Sequence, residues 1–219
     1  MPERRLILTF HGIGDPPAHI EDSERSVWVG REVCETTLDQ VAGRRGVVVT
    51  FDDGNRSDVE IGLPALHSRG IVATFFIVAE RLDQPGYLTR DEVRELSNAG
   101  MTVGFHGLRH HSWRSLSDHE LRDELEGGRS MLEDTVEQPV TEASCPFGEY
   151  DRRVLRHLRR LGFQGVYTSD GGTTRPGAWL QARNSIGRDW QPTPALLDGH
   201  EPIPPRLLRS AKQLVKRLR

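Results

Sequence analysis

The stretch Val47-Val48-Val49-Thr50-Phe51-Asp52-Asp53-Gly54 decides how the rest of the chain is read. Its β-branched run predicts a buried strand, and that strand ends abruptly in two adjacent carboxylates and a glycine. Core packing has no use for two acids at the tip of an apolar strand. Placing one carboxylate beside another is costly unless a cation or a proton relieves the repulsion. One acid is therefore expected to bind a metal and the other to handle protons, with partners supplied from elsewhere in the sequence.

Outward from this strand the chain alternates short apolar runs with helix signals. A first strand is predicted over residues 6–10, ending at His11, followed by a Gly/Pro/Asp/Ser-rich loop over 12–26 and a helix over 27–38. Beyond Gly54 come a helix over 57–70 and a strand over 71–78. Thr89 with Glu92, and Ser117 with Glu120, have capping-box spacing and open helices ending at Gly100 and near residue 135. Strands over 101–105, 140–145 and 163–169 lead into His106, the Pro146-Phe147-Gly148 turn and Asp170. Asp151 caps an Arg-rich helix, and residues 179–186 read as the last strand.

Alternating strands and helices imply a parallel sheet, here an α/β barrel of about seven strands. No composition break divides the chain, so residues 1–219 are read as one domain. In such a barrel every strand end that leads into a helix lies on one face, where sites are built. His11, Asp52, Asp53, His106, the Pro146 turn and Asp170 all occupy such ends and should converge.

Bulk properties narrow the function. With 219 residues, 36% hydrophobic and 28% charged, the chain suits a globular domain, and its net charge of −3 gives no whole-protein case for nucleic-acid binding. The apolar run at 6–10 is too short for a signal peptide, which makes the cytoplasm the default expectation. No segment is long enough to span a bilayer. Cys34 and Cys145 stand far apart, so no disulfide scaffold is implied. Residues 206–219 place leucines on one helical side and Lys/Arg on the other. That helix either covers the barrel with a solvated basic face or meets anionic lipid peripherally.

His106-Gly-Leu-Arg-His110-His111 sets two imidazoles four residues apart. On a helical turn that spacing puts both on one side, where they chelate a divalent ion. One Asp oxygen and two His nitrogens leave open positions on zinc or a similar ion, as a catalytic site requires.

Thr50-Phe51-Asp52-Asp53-Gly54, His106-x-x-x-His110 and Ser144-Cys145-Pro146-Phe147-Gly148, in that order, resemble the first three motifs of the polysaccharide deacetylases, the NodB-like or carbohydrate esterase family 4 proteins. The resemblance covers most of residues 5–186. It implies a distorted (β/α) barrel and metal-dependent removal of an acetyl group from a sugar, with zinc as the first choice of ion and cobalt, nickel or manganese as alternatives. It also implies Asp53, His106 and His110 as ligands and Asp52 as the general base. The tetrahedral oxyanion needs a donor, and the backbone N–H of Phe147 is the candidate, because Pro146 has none.

The family's third motif usually begins with an arginine that orients the base, and Ser144 stands there instead. Its usual late histidine acid has no clear counterpart, since His200 lies among prolines. Phe10-His11-Gly12 and Ala143-x-x-Pro146-Phe147-Gly148 match a subset of the family that uses an early histidine as acid. His11 is therefore expected to protonate the leaving amine; its alternative is a buried histidine tying the first strand to its loop. His111 is expected to stabilise the loop or stand near the metal, and Asp170 and Arg183 to form an ion pair or orient Asp52. Trp113, Trp179 and Trp190 are either sugar platforms or packing residues. Two rival functions remain: hydrolysis of a non-sugar amide or cyclic imide, and a catalytically silent carbohydrate-binding barrel.

Overall fold

The computed structural model describes residues 4–190, apart from 19 and 21, together with residue 197. Strand β1 (Arg5–Phe10) is followed by β2 (Gly12–Ile13), the short helix α1 (Asp22–Arg25) and β3 (Trp28–Val29), with β2 and β3 paired in parallel. The chain continues through α2 (Arg31–Val41) and β4 (Val47–Asp53). A π-turn at Asp58–Gly62 runs into α3 (Leu63–His67) and β5 (Ala73–Ile77). Next come α4 (Arg90–Asn98), β6 (Thr102–Phe105), α5 (Asp118–Val136), β7 (Glu142–Ser144), α6 (Arg152–Arg160) and β8 (Gly165–Thr168). The last described strands are β9 (Thr173–Thr174), β10 (Leu180–Ala182) and β11 (Asn184–Ser185).

The main sheet runs β10-β8-β7-β6-β5-β4-β1-β11 with every neighbour parallel, and β9 adds an antiparallel pair to the start of β1. β10 and β11 are separated only by Arg183 yet stand at opposite ends of that order. The sheet is therefore curled into a nearly closed barrel. The single strand expected over 179–186 is in fact two, and with the unexpected β9 this brings the sheet to nine strands among the described residues.

Period-two alternation sorts the barrel's contents. Leu6, Leu8 and Phe10 of β1, Val49 and Phe51 of β4, and Phe75 of β5 join the core beneath the helices. There Phe51 stacks on both Phe10 and Phe75, with centroids 5.2 and 4.6 Å apart. The intervening residues Ile7, Val48 and Phe76 meet Tyr167 in a separate cluster inside the barrel. One step further along the same faces the contents turn polar. Thr9 and Thr50 share a hydrogen bond of 2.8 Å, and Asp52 follows Thr50 on the inward face.

Both predicted capping boxes form, at Thr89/Glu92 and Ser117/Glu120, and Asp151 caps α6 through the Val154 amide. The helix expected over 27–38 begins later, at Arg31. Residues 28 and 29 are drawn into β3 because the Trp28 ring packs flat on Gly12, where a Cβ would lie 2.2 Å from it. No helix among the described residues is long and apolar enough to cross a membrane. The basic segment 206–219 and His200 lie outside the described residues.

Candidate active site

The strand ends converge as expected, except at Asp170, which stands off the cavity wall. His11, Asp52, Asp53, His106, His110 and Phe147 line one cavity of about 260 Å³, with Glu24, Val27, Ser169 and Ser185 completing its wall.

Asp52 points into the barrel and is clasped by Arg183. Nη1 donates to Oδ1 and Nη2 to Oδ2, both at 2.6 Å, a forked pairing buried to 1–2% exposure on either side. The same guanidinium donates to Ser144 Oγ at 2.6 Å and to Thr50 Oγ1 at 3.3 Å, and it lies 5.1 Å from the Phe76 ring. Burial alone would raise the Asp52 pKa. The Arg183 charge, then that of His106, then the Arg183 hydrogen bonds outweigh it and hold the carboxyl well below the usual range. Ser144 Oγ is 3.4 Å from Asp52 Oδ2. The arginine absent from position 144 thus has a counterpart arriving from the far end of the sheet.

Asp53, His106 and His110 each present a ligand atom within 4.8 Å of the others. The Nδ1 of His106 is 2.9 Å from the Ser144 carbonyl, which can only accept, so the ring proton sits on Nδ1. Its Nε2 lone pair then faces Asp52 and Asp53, each 3.6 Å away. Asp53 Oδ1 is buried without a hydrogen bond. A buried carboxylate oxygen that no neighbouring donor satisfies in hydrogen-bonding geometry, beside an imidazole lone pair, fits a divalent ion of the zinc type. Burial lowers the histidine pKa values to about 4 for His106 and about 3 for His110, the latter helped by the Arg81 charge, so both rings are neutral at neutral pH.

The reason given for the His-x-x-x-His spacing is not the one the structure uses. Residues 106–112 form no helix, and His110 has φ +60°. The loop folds back so that His110 Nε2 lies 3.2 Å from Asp53 Oδ1. Asp53 (φ +78°) and Phe147 (φ +57°) are also left-handed, so three of the five non-glycine residues with positive φ among those described build this one site.

His11 lines the cavity with a buried Nδ1 that has no hydrogen-bond partner, and its carbonyl accepts from Asn55 at 2.5 Å. The Phe147 ring is 58% exposed and lies 4.5 Å from the His110 ring. Two expected residues are placed elsewhere. His111 is exposed and outside the cavity wall. Asp170 accepts from the Tyr150 hydroxyl at 2.7 Å and from Thr168 at 2.9 Å, leaving Ser169 to form the wall at that point. Trp113 is fully buried against Phe105 and packs the core.

Three residues were missed by the sequence reading. Arg81 Nη1 is 3.3 Å from Asp53 Oδ1, and Nη2 is 3.2 Å from His110 Nδ1. Glu24 Oε1 is 3.4 Å from the same nitrogen and 3.5 Å from Arg81. Arg81 closes the turn after β5, so the strand-end rule reaches it; Glu24 lies in the short helix α1, within the stretch that reads from sequence as a loop and carries no such signal. Asp58 is fully buried behind the acid pair, and burial followed by the charges of Asp53 and Asp52 pushes its carboxyl well above the usual range.

Residues 39–166 match the family model described as polysaccharide deacetylase. The chain is 26% identical over 140 residues to YxkH of Bacillus subtilis, covering 64% of this chain and 50% of that one. It is 27% identical over 124 residues to a peptidoglycan-N-acetylglucosamine deacetylase of Bacillus cereus, covering 56% of each. The chain thus spans about half the length of the curated relatives it matches. Its fold is shared with the Streptococcus pyogenes deacetylase PplD solved in complex with acetate, at a TM-score of 0.80 and 19% identity, covering 92% of this chain and 100% of that one. With more than half its length matched by the family model, and the barrel to go with it, the chain belongs to the polysaccharide deacetylase family.

Proposed function

We propose that this protein is a metal-dependent hydrolase that removes the acetyl group from an N-acetylated sugar or glycan. The observation that carries the reading is the Asp53/His106/His110 cluster standing beside an arginine-clasped Asp52 in one cavity. Asp53, His106 and His110 would hold the ion, with zinc first among the choices for this donor set. A bound divalent ion supplies acidification of water and polarisation of the acetyl carbonyl.

The remaining work falls to side chains and backbone. Arg183 keeps Asp52 ionised and fixes its orientation, so that Asp52 takes the proton of the attacking water. A carboxylate this acidic is a weak base, matched to a water whose own acidity a bound divalent ion would raise. The Phe147 amide makes no hydrogen bond among the described residues, and the left-handed turn leaves it free to donate to the developing oxyanion. His11, on the cavity wall, carries the proton to the leaving amine.

Acetate release from N-acetylated oligosaccharides, measured before and after chelation and zinc return, tests the proposal. Turnover should vanish with chelator and recover with zinc. Asp52→Asn should retain the ion while losing about 10²–10⁴-fold in rate, whereas His106→Ala should lose the ion. Chelator-resistant turnover, or wild-type rate in Asp52→Asn, would overturn it.

A further inference from the structure

A second cavity, of about 650 Å³, lies on the barrel's flank between α6 and residues 178–180, which lead into β10. Among the described residues it shares no lining residue with the site above. Helix α6 reads Arg-Arg-Val-Leu-Arg-His-Leu-Arg-Arg. Val154 and Leu158 are buried in the core, and Arg153 is tied to Asp118 at 3.0 Å. The other four arginines, Arg152, Arg156, Arg159 and Arg160, are exposed and line the cavity. Arg152, Arg156 and Arg160 recur once per turn, about 6 Å apart along the axis.

None of these four has a carboxylate within ion-pair distance among the described residues, although Arg56, Arg69, Arg90, Arg94 and Arg129 all do. Favourable interaction with the helix dipole accounts for cations at the C-terminal end of α6, but Arg152 sits in its first turn, where the dipole opposes it. Four uncompensated guanidinium groups in one cleft, on a chain of net charge −3, point to an anionic occupant.

We propose that this cleft binds an anionic polysaccharide, whose carboxylates take the arginine forks one after another. The choice of a polysaccharide rests on the deacetylase reading. Arg152 lies five residues beyond Phe147, so the stripe starts at the end of α6 nearer the catalytic face and runs away along the barrel wall. A single-stranded nucleic acid needs aromatic platforms. The one aromatic among the described lining residues, Trp179, is covered by Arg159 at 3.9 Å and fixed by its Nε1 hydrogen bond to the Phe163 carbonyl. A lipid surface needs exposed apolar residues to insert, and the apolar lining of this cleft, Leu155, Ala178 and Leu180, is partly buried within it.

The test is fluorescence anisotropy at low salt with the full chain and a labelled oligogalacturonate, a glycan carrying a carboxylate on every sugar. Saturable binding is expected, weakened at least tenfold in Arg156→Ala/Arg160→Ala, lost in Arg156→Glu/Arg160→Glu, and unchanged in Arg122→Ala. The charge-reversed variant should still release acetate from a short neutral substrate at the wild-type rate. Absent binding, or binding indifferent to these arginines, overturns the proposal. Arginine-dependent binding of a single-stranded DNA or of anionic vesicles as tight as that of the glycan overturns it as well. Failure of the deacetylase reading would show separately, as no acetate from any substrate with glycan binding intact.

Discussion

The ring proton of His106 is fixed by a carbonyl, but that of His110 is contested. Arg81 can only donate to Nδ1, which would leave the proton on Nε2, whereas Glu24 can only accept from Nδ1. For Nε2 of His110 to hold an ion, Nδ1 must carry the proton and Glu24 must receive it. Glu24→Ala should therefore raise the zinc Kd about 10–100-fold, read by competition with a chromophoric chelator; an unchanged Kd would remove Glu24 from this role. The two histidines also predict a pH dependence for the metal-free protein. Their folded values of about 4 and 3 lie below the ordinary 6.5, so below pH 6.5 the unfolded chain takes up protons that the folded chain refuses. Their contribution is complete above pH 6.5 and is lost as pH falls toward 4 for His106 and toward 3 for His110. The raised Asp58 has the opposite slope above pH 3.8, because there the folded state keeps a proton that the unfolded state releases. The measurement is thus a difference. Urea unfolding of chelated wild type against His106→Ala/His110→Ala should show the wild-type advantage shrinking between pH 7 and 5, and a constant difference would contradict the assignment.

At the scale of the element, the His110 loop hangs on one carboxylate from a neighbouring helix. Glu124 of α5 is 1% exposed, and its Oε1 accepts from the amides of Leu108 and Arg109 at 2.8 and 2.9 Å. Gly107 enters this turn at φ +98°, and a Cβ there would lie 2.9 Å from the same oxygen. Hydrogen bonds to a charged acceptor contribute about 1.5–3 kcal/mol each, so Glu124→Ala should cost roughly 3 kcal/mol or more in urea unfolding and loosen zinc as well. Stability near wild type with intact zinc affinity would show that the loop holds its own shape. This dependence explains which parts of the site the sequence displayed. The capping boxes at Thr89 and Ser117 are local, with donor and acceptor three residues apart, and they formed where read. The strand-end rule gathered His11, Asp52, Asp53, His106 and Phe147, because a parallel barrel fixes where strands end whatever their contents, but it missed by one residue at Asp170, where Ser169 forms the wall. The shape of the His110 loop was not legible. Left-handed backbone at Asp53, His110 and Phe147 is imposed by distant packing, and histidine spacing that suggests a helix is here satisfied by a fold-back.

At the scale of the molecule, closure of the barrel and preparation of the base are one event. The break between β10 and β11 falls at Arg183, with no glycine or proline to mark it, so residues 179–186 read as a continuous strand. Only the sheet order shows that the two halves join opposite edges, and that the residue at the seam reaches inward to Asp52. Removing one partner of such a buried pair leaves a bare charge and costs about 3–5 kcal/mol, while replacing both with neutral groups of similar size is often close to neutral. Arg183→Ala should accordingly lose about that much stability and all measurable acetate release. Asp52→Asn/Arg183→Met should recover most of the stability while remaining inactive, because the fold needs the charges matched and the chemistry needs the carboxylate. The thermodynamic cycle through the single variants should then show a coupling of several kcal/mol. Additive losses would mean that the seam is held by the flanking strands and that Arg183 serves the base alone.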